Sequence, residues 1–249
     1  MRAKYEELKV LIYDYSPVCI ALQETMIGIN KAPCPREYNL FHTEYNAERG
    51  SHGGSALLIR NDISHIPISL QTSLQAVAVQ VNLNRRYTIC SLYLPPSESV
   101  SERELSNLCL QLPQPFLVLG DLNGRHYMWG DNVANRRGDR LFSFIEEQNL
   151  GILNTGESTH YHIQTNTFSR IDLSLCSTTC LLDFTWEVDG DRHGSDHFPI
   201  ILKNSNQPPL NRSPRWCINR ANWALFRELS SINIDADDLA SVDDAVHLC

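Results

Sequence analysis

The chain has 249 residues, 42% of them hydrophobic and 20% charged, with 21 basic against 29 acidic side chains and a formal net charge of −8. This apolar content supports a sizeable core, as one large domain or two small ones, and excludes a disordered tail. The acidic balance argues against a protein that grips nucleic acid mainly through net charge, although Asp235, Asp237, Asp238, Asp243 and Asp244 crowd into the C-terminal tail and leave the body nearer neutral.

In chain order, Tyr5, Leu8, Leu11, Ile12 and Tyr15 recur at helical spacing, and the helix they predict must stop before Pro17. The opening MRAKYEELKVLIYDY is too charged for a signal-peptide core, and no stretch reaches the length of a membrane span, so a soluble intracellular protein is expected. VCIALQET predicts a short buried strand ending at Glu24. GGSALLIR, HIPISL, AVAVQVNL and RRYTICSLYLPP follow as β-branched runs separated by polar breaks, the last ending on Tyr93 and a double proline. SERELSNLCLQL opens with Ser101 and carries Glu104 three residues on, the capping-box pattern of a helix start. FLVLGDLNG reads as a strand buried on both faces that turns on a glycine and delivers Asp121 and Asn123 to the rim of a sheet. Alone, that octet suits a cation site, a water-positioning pair or a simple turn cap. GDRLFSFIEEQ predicts another helix, and GILNTG, NTFSRIDLSLCS, LDFTWEV and FPIILKN predict a last group of strands.

Cys19, Cys90 and Cys176 lie in apolar runs and no Cys or His group has zinc spacing, so the eight cysteines read as reduced core residues. The pair Arg85 and Arg86 reads as solvated loop charge; Arg136 and Arg137 form a second basic pair. From about residue 204, NSNQPPLNRSP has a linker's composition and RANWALFRELSSI a helix's. The paired aspartates of IDADDLA have no second acidic strand or palm-like context, so they read as a solvated tail and not as a polymerase metal site.

The polar residues at strand ends then form a set: Glu24, Tyr93, Asp121 with Asn123, Asp172 within the apolar SRIDLSL, and Asp196 with His197 in GSDHFPI. In a layered sheet such ends converge on one edge. Carboxylates and an amide suit Mg²⁺, which prefers oxygen donors. A histidine held by a second carboxylate suits stabilising or protonating a phosphoryl oxygen.

LQET, LYLPP, GDLNG, SRIDLSL and GSDHFPI, in this order, resemble the endonuclease/exonuclease/phosphatase superfamily of metal-dependent phosphodiesterases. GDLNGRHYMWG, LNTGESTHYHIQTNTFSRIDLSLCS and PRWCINRANWALF are similar, more narrowly, to the apurinic-endonuclease-like domain of non-LTR (LINE, jockey-type) retrotransposon polyproteins. The resemblance implies a DNase I-like, four-layer α/β/β/α sandwich over residues 1–203, with residues 204–249 leading toward a reverse transcriptase domain. It implies Mg²⁺, with Mn²⁺ as a substitute, held by Glu24 and Asp196. Asp121 would orient or deprotonate the attacking water and Asn123 would contact the scissile phosphate. Asp172 would hold His197 facing that phosphate, Asp196 would lie near the metal or the leaving group, and Tyr93 would donate to the phosphate. The implied act is nicking DNA in the nucleus, leaving a 3′ hydroxyl for reverse transcription. His126 and Trp129 are candidate substrate contacts, with His160 and His162 beside them; loop and packing roles are the alternative for all four, and the loops around His126 and Tyr161 would set specificity. Family members begin with a strand bearing an asparagine near the metal, whereas this chain begins at the following helix, so a truncation at both ends is expected. The rival readings are an impaired relic or interaction module of the same fold, and a phosphatase or lipid phosphodiesterase on that scaffold.

Overall fold

The computed structural model describes residues 4–28, 33–43 and 53–205. The chain runs through α1 (Tyr5–Tyr15), β1 (Cys19–Gln23), β2 (Tyr38–His42), β3 (Ser55–Arg60), β4 (His65–Ile68), β5 (Gln75–Asn82), β6 (Arg86–Tyr93), α2 (Glu102–Leu110), β7 (Phe116–Asp121), α3 (Arg136–Glu147), β8 (Leu150–Ile152), β9 (His160–His162), β10 (Thr167–Ser169), β11 (Asp172–Ser177), β12 (Phe184–Val188) and β13 (Ile200–Asn204).

The strands make a six-stranded sheet in the order β4-β5-β6-β7-β11-β8, a three-stranded sheet in the order β1-β3-β2, and the ribbons β12-β13 and β10-β9. Within the six-stranded sheet β6 and β7 are parallel, joined by the crossover through α2, and the other pairs are antiparallel. One face of this sheet, with Ala78, Cys90, Leu92, Val118, Leu173 and Leu175, packs on Leu105 and Leu108 of α2 and Leu141, Phe144 and Ile145 of α3. The other face, with Val79, Val81, Ile89 and Leu117, packs on Leu57 and Ile59 of β3 and Trp186 of β12. The far side of β3 offers Leu58 to Leu8 of α1. The layers are thus helix, sheet, sheet, helix, and β3, β6, β7 and β11, covered on both faces, carry the continuous apolar runs such strands require.

Local chemistry sets several boundaries. α1 ends at Ser16, left-handed at φ 42, just before Pro17. Ser101 and Glu104 make both bonds of the capping box that starts α2. α3 begins two residues ahead of the expected GDRLFSF segment, because the Asn135 side chain accepts from the Gly138 N–H and caps it there.

Two expectations need correction, and one strand lies outside those expected. YNLFH forms β2, on the edge of β3, although its sequence lacks a strand's strong pattern. NTFSRIDLSLCS is two strands, β10 paired with β9 and β11 in the six-stranded sheet, separated at Arg170 and Ile171. Arg85 is not solvated loop charge: its Nε donates to Tyr87 Oη at 3.1 Å, its Nη2 donates to the Thr179 carbonyl at 2.9 Å, and the guanidinium pairs with Asp183. The described cysteines, Cys19, Cys34, Cys90, Cys109, Cys176 and Cys180, are free thiols. The expected linker and helix lie, from residue 206 onward, outside the described residues.

Candidate active site

The site is built on a register. β7 ends and β11 begins at one sheet edge, and their pairing sets Asp121 directly opposite Asp172. Like charges at opposed positions repel, and both side chains are buried. Asp172 cannot retreat, because its N–H donates to Thr159 Oγ1 at 3.2 Å and its carbonyl accepts from Asn154 Nδ2 at 2.9 Å.

His197 answers the repulsion. Its Nδ1 lies 2.9 Å from Asp172 Oδ1 and 3.0 Å from Oδ2. Burial alone would lower this imidazole, but Asp172 first, then Asp121 and Asp196, outweigh it and raise its pKa from 6.5 to about 9. Burial, aided by Asp172, pushes the Asp121 carboxyl well above the usual carboxylate range, while His197 and the Asn123 N–H pull it partly back. Asp196 is exposed, and despite the opposing cost of its partial burial, His197 and His160 hold its carboxyl below the ordinary value.

Behind Asp121 the turn is fixed by close approach. A Cβ at Gly120 would sit 1.8 Å from the Leu92 carbonyl oxygen, so only glycine lets β7 lie this close to β6. Asn123 then adopts a left-handed φ of 52, tolerable for asparagine. Its N–H donates to Asp121 Oδ1 at 3.0 Å, and its Nδ2 donates to Asp121 Oδ2 at 2.9 Å and to the Leu94 carbonyl at 3.2 Å. Arg137 closes the turn from below: its guanidinium donates to the carbonyls of Leu94 (2.8 Å), Pro95 (2.8 Å), Leu122 and Pro96 (both 3.4 Å) and Glu98. The sequence marks it only as half of a basic pair.

Glu24 reaches the same rim from the other sheet. Gln23 Nε2 donates to Ser91 Oγ at 2.9 Å, and Ser55 Oγ donates to the same oxygen at 2.7 Å, so the end of β1 is pinned across the layers. Glu24 follows with a left-handed φ of 51, and Tyr93 Oη donates to its Oε1 at 2.6 Å. Burial and Glu24 push the Tyr93 phenol up, so it stays a donor. Unfavourable backbone angles of this kind concentrate at functional sites.

The donors assembled are carboxylate and amide oxygens from Glu24, Asp121, Asn123, Asp172 and Asp196. This oxygen-rich set, with more negative charge than His197 alone balances, fits a hard divalent cation. Glu24, Tyr93, Asp121, Asn123, Asp172 and His197 come together, with Asp196 beside His197.

His126 and Trp129 do not join them as DNA-facing groups. Trp129 is fully buried, its Nε1 donating to the Gly124 carbonyl at 3.2 Å. The His126 ring stacks on Phe142, with centroids 4.7 Å apart and planes 13° from parallel, and its Nδ1 accepts from the Met128 N–H. Both are packing residues. Sequence reasoning missed Gln23, Ser55 and Ser91, whose hydroxyls and amide carry no local signature.

Residues 87–201 match the family described as endonuclease–reverse transcriptase. The chain is 28% identical over 193 residues to a probable RNA-directed DNA polymerase from transposon BS of Drosophila melanogaster, a match covering 73% of this chain and 21% of that protein. It is 26% identical over 255 residues to the RNA-directed DNA polymerase from mobile element jockey of Drosophila melanogaster, covering 98% of this chain and 27% of its relative. The chain therefore spans about a quarter of the length of these curated relatives. The fold is similar to that of the endonuclease domain of TRAS1, a telomere-specific non-LTR retrotransposon, with a TM-score of 0.67 and 23% identity over 80% of this chain and 90% of that one. It is also similar to AP endonuclease LMAP from Leishmania major, with a TM-score of 0.63 and 13% identity over 80% and 81% of the two chains. The architecture is thus DNase I-like, as expected.

Proposed function

We propose that this chain, whose residues 87–201 match the family described as endonuclease–reverse transcriptase, hydrolyses a phosphodiester of nuclear DNA, leaving a 3′ hydroxyl from which a reverse transcriptase domain primes synthesis. The observation that carries this reading is the rim triad in which Asp121 stands opposite Asp172 and Asp172 holds His197.

Asp121, with its carboxyl raised toward neutral pH, is matched to accept the proton of an attacking water. Both of its oxygens are oriented by Asn123, which leaves the carboxylate little freedom to swing away. Asp172 occupies Nδ1 of His197, so the ring presents an Nε2–H donor to a phosphoryl oxygen, charged over the working pH range. Tyr93 supplies a second donor, this one neutral, held ready by Glu24. When bound by Glu24 and Asp196, Mg²⁺, or Mn²⁺ in its place, would neutralise charge developing on the phosphoryl oxygens. The DNA assignment, as against a phosphorylated lipid or small molecule, is supported by the similarity to mobile-element polymerases.

The test is nicking of supercoiled plasmid with and without Mg²⁺, for the parent chain, Asp121→Ala and His197→Ala. Metal-dependent nicking lost in both variants, at ends that a polymerase extends, is expected. A folded parent that leaves the plasmid intact refutes the reading and makes the chain an inactive relative of the fold.

A further inference from the structure

The β9-β10 hairpin brings to the rim a histidine that the proposed chemistry does not use. His160 pairs with His197 through an isolated antiparallel bridge, the Tyr161 N–H donates to the Asp196 carbonyl at 2.8 Å, and the Phe198 N–H donates to the Thr159 carbonyl at 2.7 Å. These bonds lock the hairpin to the segment bearing Asp196 and His197. The two imidazole centroids lie 4.7 Å apart, and His160 Nε2 is 3.8 Å from Asp196 Oδ2. One ligand atom from each of His160, Asp196 and His197 falls within 4.8 Å of the others.

Both rings are oriented from behind. His160 Nδ1 lies 3.1 Å from Ser169 Oγ and His197 Nδ1 lies 2.9 Å from Asp172 Oδ1, which leaves Nε2 as the open nitrogen on each. A hydroxyl or carboxylate engaging Nδ1 is how metal-bound histidines are usually held in place. Two imidazoles and a carboxylate suit Zn²⁺, with a fourth position for water, whereas Mg²⁺ prefers oxygen donors throughout. Ligand atoms around a tetrahedral zinc sit roughly 3.3 Å apart, so the cluster must contract by up to about 1.5 Å. Asp196 is exposed, which gives its carboxylate that freedom and gives the ion a path from solvent.

We propose that His160, Asp196 and His197 bind a zinc-class ion at a position that shares Asp196 with the proposed hard-cation site, and that its occupancy silences the nuclease by withdrawing Asp196 from that cation and His197 from the phosphate. The binding stands on the geometry alone; the silencing rests on the proposed function.

The test titrates Zn²⁺ into the full, metal-free chain against a competing metallochromic indicator, in excess Mg²⁺ at one fixed pH, so that the His197 proton the ion must displace is common to all chains. Parent, His160→Asn and His162→Asn are compared, so that zinc taken up by the cysteines is common to all. His162 is the neighbouring exposed hairpin histidine, its Nδ1 near Thr165 Oγ1, and lies outside the cluster. The parent and His162→Asn should share a tight zinc equivalent whose affinity falls at least about tenfold in His160→Asn. His160→Gln gives a second variant should asparagine disturb the hairpin. Equal zinc affinity in the parent and a folded His160 variant, or its loss in His162→Asn, overturns the site. In the plasmid assay the zinc concentration that halves each chain's own nicking in Mg²⁺ should rise by the same factor in His160→Asn. Equal inhibition of both chains overturns the silencing. A parent that binds zinc through His160 but never nicks refutes the nuclease reading and its inhibition, while establishing the zinc site.

Discussion

Replacing Asp172 with asparagine keeps the shape of the rim and removes the largest support of the His197 charge. The imidazole is raised from 6.5 to about 9 against the opposing cost of burial. That rise corresponds to about 3 kcal/mol in favour of the imidazolium. With 30% of the His197 side chain open to solvent, screening trims the gain to about 2–3 kcal/mol. Without Asp172, only Asp121 and Asp196 remain to oppose burial, so the ring should titrate at or below its ordinary value. At about pH 8 the protonated fraction then falls from roughly 90% to a few per cent, so nicking loses about thirtyfold from charge alone. Loss of ring orientation adds to this, and affinity for DNA should hardly change. NMR of ring-labelled histidine in the metal-free protein measures the titration directly, and plasmid nicking measures the consequence. A histidine still titrating near pH 9 in Asp172→Asn, or absent from the parent, would refute the assignment of that charge to the Asp172–His197 pair.

Asp121→Asn should abolish nicking, by at least about a hundredfold, yet raise the melting temperature of the metal-free protein at alkaline pH. The sign follows from linkage: a carboxyl raised by folding keeps its proton longer than in the unfolded chain, so the parent loses stability as pH rises through the folded pKa. The melting-temperature gap between variant and parent should therefore close on acidification. His197 adds to the parent's decline, since its contribution is complete below pH 6.5 and is lost as pH passes about 9. Arg137→Lys should cost about 2–4 kcal/mol in chemical denaturation, because a compact ammonium cannot span the carbonyls that the guanidinium bridges. Its kcat should fall with KM little changed, as the Asp121 turn loosens; unaltered turnover would show that Arg137 supports the fold but not the site. Glu24→Gln should raise the Mg²⁺ concentration for half-maximal nicking at least about tenfold, and an unchanged metal curve would remove Glu24 from the cation's ligands.

Legibility in the sequence follows how local each determinant is. The start of α2 was readable because Ser101 and Glu104 satisfy each other within one turn. The strand before Asp121 was readable because burial on both faces demands a continuous apolar run. The break between β10 and β11 was not: the Arg170 N–H donates to Asp131 Oδ2 at 2.9 Å and its Nε to the Gly156 carbonyl at 3.0 Å, partners far away in the chain. Trp129 and His126 were read as candidate DNA contacts because aromatic and histidine side chains in a glycine-flanked loop suit either surface or core. Their burial depends on α3, which the loop's own sequence does not announce.

The site residues were legible as polar ends of apolar runs, but the register that makes them a site was not. Moving β11 by one residue along β7 would set Asp172 opposite Gly120 and turn alternate side chains to the wrong face. That register is held away from the rim, where Leu173 and Leu175 face the α2 and α3 side and Cys176 faces the second sheet. The two cores therefore force together carboxylates that would separate if the strands were free to slip. The left-handed angles at Glu24 and Asn123 persist for the same reason, each fixed by hydrogen bonds to strands that cannot move. A cation or a phosphate arriving at this rim meets charges and donors already oriented, and the protein does not have to reorganise when it binds.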